Sequence, residues 1–216
     1  MVNWKLAAVL LSVSAGFVLA ADPWQTKPIA QWTPDDAKQV LVKSAWAKPA
    51  NVSALPQRGE DQLREGGKMG RMKRPKNDDA LGMIPPKTLP VRWESALAVR
   101  TAELKAGEMG APDWDGEFYV IAVYDVPGLT GNQKALPGDL KRAATLQREG
   151  RKEVKPARVD VVAQANGLSR VVYLFPRTDV IALEDAKVSF VAQIGWLSLA
   201  QDFYPAEMVL GGKLEL

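Results

Sequence analysis

The chain contains neither cysteine nor histidine. The first absence removes disulfides, thiol nucleophiles, iron–sulfur clusters and thiolate zinc sites. The second removes the commonest general base, the usual acyl-transfer triads and imidazole metal sites. Carboxylate, lysine, tyrosine or hydroxyl chemistry remains, or no chemistry at all, and neither a cofactor nor a metal is expected. What is present is ordinary: 47% hydrophobic and 25% charged residues are the proportions of a globular chain, not a disordered or collagenous one. The length of 216 residues suits one domain with appendages and a sound core.

Residues 1–21 read as a secretory signal. Lys5 supplies a positive start, an apolar run follows from Leu6 to Leu19, and Val18 and Ala20 fit the small-residue positions before a cleavage after Ala20 or Ala21. From Leu6 to Ala21 a helix would span roughly 24 Å at ~1.5 Å per residue, short of the ~30 Å hydrocarbon core. No stable membrane span is expected after cleavage, and the location is periplasmic or extracellular. The net charge of +3 is local. Between Arg58 and Lys76 seven basic residues stand against three acidic ones, and without Lys5 and this run the chain is slightly acidic. Such a segment can meet an anionic polymer or remain a solvated linker. In an exported protein, nucleic acid is not an expected partner.

Beyond the signal the pattern divides into three. Residues 22–50 form a Trp-rich helical arm: Thr33 can cap, Pro34 suits the first helical position, Asp35 and Asp36 face the positive helix end, and Pro49 stops the run. Trp32 and Trp46 fall near one face if a single helix covers both, and the rings either form a carbohydrate platform or dock the arm on a core. Residues 51–87, rich in glycine and charge, read as a flexible basic linker. "GGKMG" lacks the spacing of a phosphate loop.

Residues 88–216 form an antiparallel β-rich domain. "TLPVRWES" reads as a strand entering a helix from Ser95 to about Ala106, and Glu117–Val126 as an apolar strand. A helix is expected from Pro137 to about Arg148. "ARVDVVAQ-A-NG-L-SRVVYLFPR" reads as a hairpin with a type I′ turn at Asn166-Gly167, followed by strands at 187–194, 196–204 and 208–216. The tally predicts an α+β fold: a mostly antiparallel sheet or sandwich of six or seven strands with two inserted helices, preceded by the arm.

Candidate chemistry starts with carboxylates. Asp113 and Asp115 flank Trp114, but in EF-hand register Ala111 and Ala122 would occupy ligand positions one and twelve, so a polar turn is the better reading. Glu94 and Asp125 end predicted strands and could form a glycosidase pair if the fold brought them within about 5–9.5 Å. Tyr119, Tyr124, Tyr173 and Tyr204 lie on or beside apolar runs, as core tyrosines do. Ser44, Ser95 and Ser169 lack a nucleophile-elbow context, and Asn51-Val52-Ser53 is a glycosylation acceptor only where that machinery exists.

The pattern "WTxxD…VLxKSxWAK" (Trp32 to Lys48), with "LPVRWESALAVR" (Leu89 to Arg100) and the closing "VSFVAQIG…EMVLGGKLEL", resembles a set of uncharacterised secreted proteins from Acidobacteria. Some of these are grouped with proteins carrying a GWxTD-type domain; here Gly195-Trp196 is followed by Leu197-Ser198, so that motif is not matched. The resemblance implies export and one fold across the set, and it assigns no functional residue. The expected role is a non-catalytic binding or structural module. Its partner would be another exported protein or an envelope polymer, met through Trp24, Trp32, Trp46, Arg71, Lys73 or Arg74. The alternative is a carboxylate-dependent enzyme acting on glycans.

Overall fold

The centre of the fold is an eight-stranded antiparallel sheet in the order β4-β7-β8-β1-β2-β3-β6-β5. These strands are β1 (Ala47–Ala54), β2 (Thr88–Trp93), β3 (Phe118–Val126), β4 (Ala144–Arg148), β5 (Arg158–Ala163), β6 (Ser169–Pro176), β7 (Val188–Ile194) and β8 (Leu197–Phe203). The computed structural model describes residues 22–54, 86–108, 116–129, 136–164 and 166–216. Residues 1–21, read as a signal, Asp113–Asp115 and the basic run holding Arg71, Lys73 and Arg74 lie outside the described residues. The α+β class expected from sequence is the one observed, with eight strands in the main sheet and a separate two-stranded ribbon, β9 (Val209–Leu210) with β10 (Lys213–Leu214).

The sheet curls because β1 serves both halves. Residues 47–51 pair with β2, and residues 52–54 pair with β8. The two halves then face each other across an aromatic core: Trp93 of β2 meets Phe203 of β8 edge-on at 5.1 Å, and Tyr173 of β6 meets Phe190 of β7 at 5.2 Å. Such edge-to-face pairs add to the large apolar burial of each ring.

Strand β1 runs across the expected boundary between residues 50 and 51. Helix α1 (Pro23–Thr26) leads to helix α2 (Pro34–Val42), which ends well before Pro49. The α2 start is as expected: Thr33 Oγ1 accepts the Asp36 N–H at 3.1 Å, and the Asp36 carboxylate accepts the Thr33 N–H at 2.9 Å. Its end is set by Ser44, whose hydroxyl oxygen accepts the N–H groups of Trp46 and Ala47. This local bonding competes with helix continuation and turns the chain into β1. Pro49 sits opposite Pro90 of β2, so two missing N–H groups share one rung of the ladder. The end of the arm is thus part of the sheet.

Two further corrections concern local periodicity. Residues 136–148 divide into α4 (Leu136–Arg142) and β4, which pairs with the edge of β7 from Ala144↔Ala192 to Arg148↔Val188. The β5–β6 hairpin does not close on a two-residue Asn166-Gly167 turn: Gly167, at φ +78, donates its N–H to the Gln164 carbonyl, the Gln164 N–H returns to the Leu168 carbonyl, and the Asn166 side chain accepts the Leu168 N–H. The two-residue turn lies instead between β7 and β8, where Ile194 pairs with Leu197 and Gly195 takes φ +59. A glycine-first hairpin turn requires that backbone. Among the described residues, no helix is long and apolar enough to cross a membrane.

Candidate functional site

Strand alternation puts Val91, Trp93 and Val123 in the aromatic core and turns Arg92 and Tyr124 to the opposite face. There α3 (Leu97–Ala106) supplies Glu103, and the turn after β2 supplies Glu94. The α3 terminus is fixed by Gly107 at φ +73, with the Glu108 N–H returning to the Glu103 carbonyl at 3.0 Å. This Schellman-type ending delivers Glu108 to Arg92.

The result is a buried polar cluster. The Tyr124 hydroxyl lies 2.7 Å from Glu94 Oε1 and 3.2 Å from Glu103 Oε1, and both carboxyl residues are only 1% exposed. Arg92 Nη1 donates to Glu108 at 2.7 Å and stands 3.7 Å from Glu103, while its Nε donates to the Leu41 carbonyl of α2 at 3.0 Å. The Arg92 guanidinium also packs 4.3 Å from the Tyr124 ring centre, and that of Arg170 lies 5.6 Å away, both within cation–π range. Burial, then the charge of Glu103, pushes the Glu94 carboxyl up to about 8 against the opposing Tyr124 hydrogen bond. Burial likewise raises Tyr124, with the two glutamates adding to it. For Arg92, burial disfavours the charged form, and the hydrogen bond to Glu108 together with the charge interactions of Tyr124, Glu108 and Glu94 outweighs it.

Glu94 therefore meets Glu103 and Tyr124. Its expected companion Asp125 is exposed, sits at φ +56 where the β3–β6 register shifts, and uses its backbone N–H on Gln164. Glu103, Arg92 and Arg170 were not candidates from sequence. The legible signal for Glu103 was a charge at the i+7 position of the stripe Ala96, Val99, Glu103, where a core residue is expected. Arg92 likewise interrupts an apolar strand.

The tryptophans are not a surface platform. Trp24 is 9%, Trp32 3% and Trp46 0% exposed, and all three belong to the main core. Trp32 Nε1 donates to the Lys27 carbonyl, and Trp46 Nε1 to the Glu215 carbonyl. Ser44 and Ser95 act as backbone acceptors, Ser95 for the Val120 N–H, and the Tyr119 hydroxyl accepts the Ile181 N–H. Two grooves open elsewhere. One of about 600 Å³ includes Trp24, Lys43, Ser44, Lys48 and Glu207 in its lining. Another of about 560 Å³ includes Leu129, Leu136, Val159, Val161 and Gln164. The acid pair lines neither. Among the described residues, no three His, Cys, Asp or Glu side chains group as metal ligands. No family model matches the chain, and no curated protein or solved structure shows significant similarity to it.

Proposed function

We propose that this protein is an exported, non-catalytic binding or structural module. The observation that supports this reading is the commitment of its buried charged groups to internal cohesion. Glu94 and Glu103, each 1% exposed, bond Tyr124 on the sheet, and Arg92 ties the same point to the carbonyl of Leu41 in α2. A general acid or nucleophile has to reach its substrate, whereas these carboxyls reach only their neighbours. The signal-like start at residues 1–21 supports export, and the partner is an exported protein or an envelope polymer.

The second reading, a carboxylate-dependent enzyme acting on glycans, draws on one observation: two carboxyls converge with a raised Glu94, and raised carboxyls recur at catalytic sites. Reducing-end release from a panel of polysaccharides and peptidoglycan separates the readings. The expected outcome is no release above buffer by the wild type, with retention on an insoluble polymer or on an exported partner. Release that disappears in both Glu94→Gln and Glu103→Gln, with the fold intact, overturns the non-catalytic reading.

A further inference from the structure

An open sheet has two edges, and each exposes backbone donors and acceptors unless something closes it. At the β4 edge Leu146 exchanges both backbone bonds with Val154, each at 2.9 Å. The β5 edge differs. Strand β5 pairs with β6 from Arg158↔Leu174 to Ala163↔Ser169, and just past it the Gln164 N–H bonds the Leu168 carbonyl. Antiparallel pairs alternate between bonded and non-bonded, so Arg158, Asp160 and Val162 direct their N–H and carbonyl groups to β6. Those of Val159, Val161 and Ala163 point out of the sheet. Among the described residues, none of these three finds a hydrogen-bond partner on that side.

The open stretch has firm limits. Before it, the Ala157 N–H goes to the Leu174 carbonyl, and the Ala157 carbonyl accepts Lys141 Nζ at 2.8 Å. After it, the chain turns back between Gln164 and Leu168. Beside it lies the groove of about 560 Å³, which Val159, Val161 and Ala163 line together with Leu129 and Leu136. Val159 and Val161 pack against the main core, so this groove continues the inner face of the sheet.

We propose that the β5 edge binds a second copy of this chain: two β5 strands pair antiparallel about a two-fold axis at Val161 and join the two sheets. In this register the strand is its own complement. Val161 faces Val161 of the second copy and Val159 faces its Ala163, so every outward N–H and carbonyl of the stretch is bonded. The neighbouring registers do worse. Centring on Val159 needs the Ala157 groups that Leu174 and Lys141 already hold. Centring on Asp160 sets two carboxylates directly opposite each other, which destabilises a sheet. Centring on Val162 leaves Val159 unbonded, and centring on Ala163 runs the pairing into the turn. About Val161, Asp160 meets Val162 and keeps its 2.8 Å ion pair with Arg158 of its own chain, so no like charges stand opposite. The inner-face side chains of each copy fall beside the groove of the other.

Sedimentation velocity from about 1 μM to about 1 mM should show the mass rising from one chain to two. Amide exchange followed by NMR should slow at least about tenfold in the dimer at Val159, Val161 and Ala163, with Asp160 and Val162 slow throughout. Because the chain has no cysteine, a single introduced thiol reads the register. Opposed Val161 Cα atoms stand about 5.5 Å apart, within disulfide reach, whereas the Val162 pair is diagonal and beyond about 7 Å. Oxidised Val161→Cys should therefore run as a covalent dimer and Val162→Cys as a monomer. If Val161→Cys does not fold, the wild-type mass and exchange decide. A single-chain mass at every concentration overturns the proposal, including the case in which a different protein slows the three amides, since the edge then takes a foreign strand. A dimer in which those amides stay fast overturns it as well, as does cross-linking of Val162→Cys as readily as Val161→Cys.

Discussion

Trp46 and Glu215, 169 residues apart in the chain, are joined by a 2.7 Å hydrogen bond from the indole Nε1 to the backbone carbonyl. The bond closes the N-terminal segment against the last residues of the fold. Trp46 has no exposed surface, so its ring and its N–H both work inside the core. Trp46→Phe removes the donor and leaves a small void. Urea unfolding should show a midpoint lowered by an amount worth about 1–3 kcal/mol, with an unchanged slope.

Arg148 offers a second test, far from the acid pair. Its side chain is 4% exposed and donates to the Asp185 carboxylate at 2.9 Å and to the carbonyls of Asp179 and Val180 at 3.1 Å, with the Asp179 carboxylate beside it. This fork anchors the loop between β6 and β7. Arg148→Ala leaves Asp185 without its cation and two carbonyls without their donor, and should cost about 3 kcal/mol or more. Arg148→Lys should recover only part of the loss, because an ammonium cannot reproduce the planar fork. Thermal melts of the two variants check the order.

Stability should fall on both sides of a mildly acidic optimum. Asp185 is lowered although burial opposes it, because the Ala182 N–H and Arg148 stabilise its charge; Asp202 is lowered against burial by Ser189 and Lys187. Both stabilise above the ordinary aspartate range, and that contribution disappears as pH falls through their depressed values. Glu94 has the opposite sign. Its contribution is fully present below about 4.5 and is lost as pH rises through about 8. Melting temperatures measured against pH should therefore show Glu94→Gln gaining on the wild type as pH increases. A constant gap would contradict the assignment.

Gly195→Ala isolates backbone strain. A Cβ there meets nothing within 4 Å, but the residue sits at φ +59 in the β7–β8 turn. The expected cost is about 1 kcal/mol, from conformation alone, readable as a small drop in the melting temperature.

Local signals in the sequence carried far. The Thr33–Asp36 capping pair, the α3 span and the β5–β6 hairpin were readable because their physics is contained within a few residues. Residues 143–148 were not: Ala144, Leu146 and Arg148 fit a helix as well as a strand, and the edge of β7 decides between them. The same limit applies to the site. Glu94 stood out as a carboxyl ending a strand. Its partners depend on how α3 lies across β2 and β3, and at the β3 bulge Tyr124 rather than Asp125 faces inward. The tryptophans stood out as one group in the sequence. That their rings enter the core beside β1, a strand that pairs with two distant strands, is a long-range fact that spacing does not reveal.

The central claim is that residues 22–49 are an integral part of the fold, with their tryptophans built into the core and not an appended binding arm. Deleting Asp22 to Pro49 and following thermal unfolding by circular dichroism and tryptophan emission tests it most directly. Removing α1, α2 and the start of β1 should abolish the cooperative transition or lower it sharply, with emission shifted to the red. A deletion variant that melts at the wild-type temperature, with unshifted emission, would contradict it.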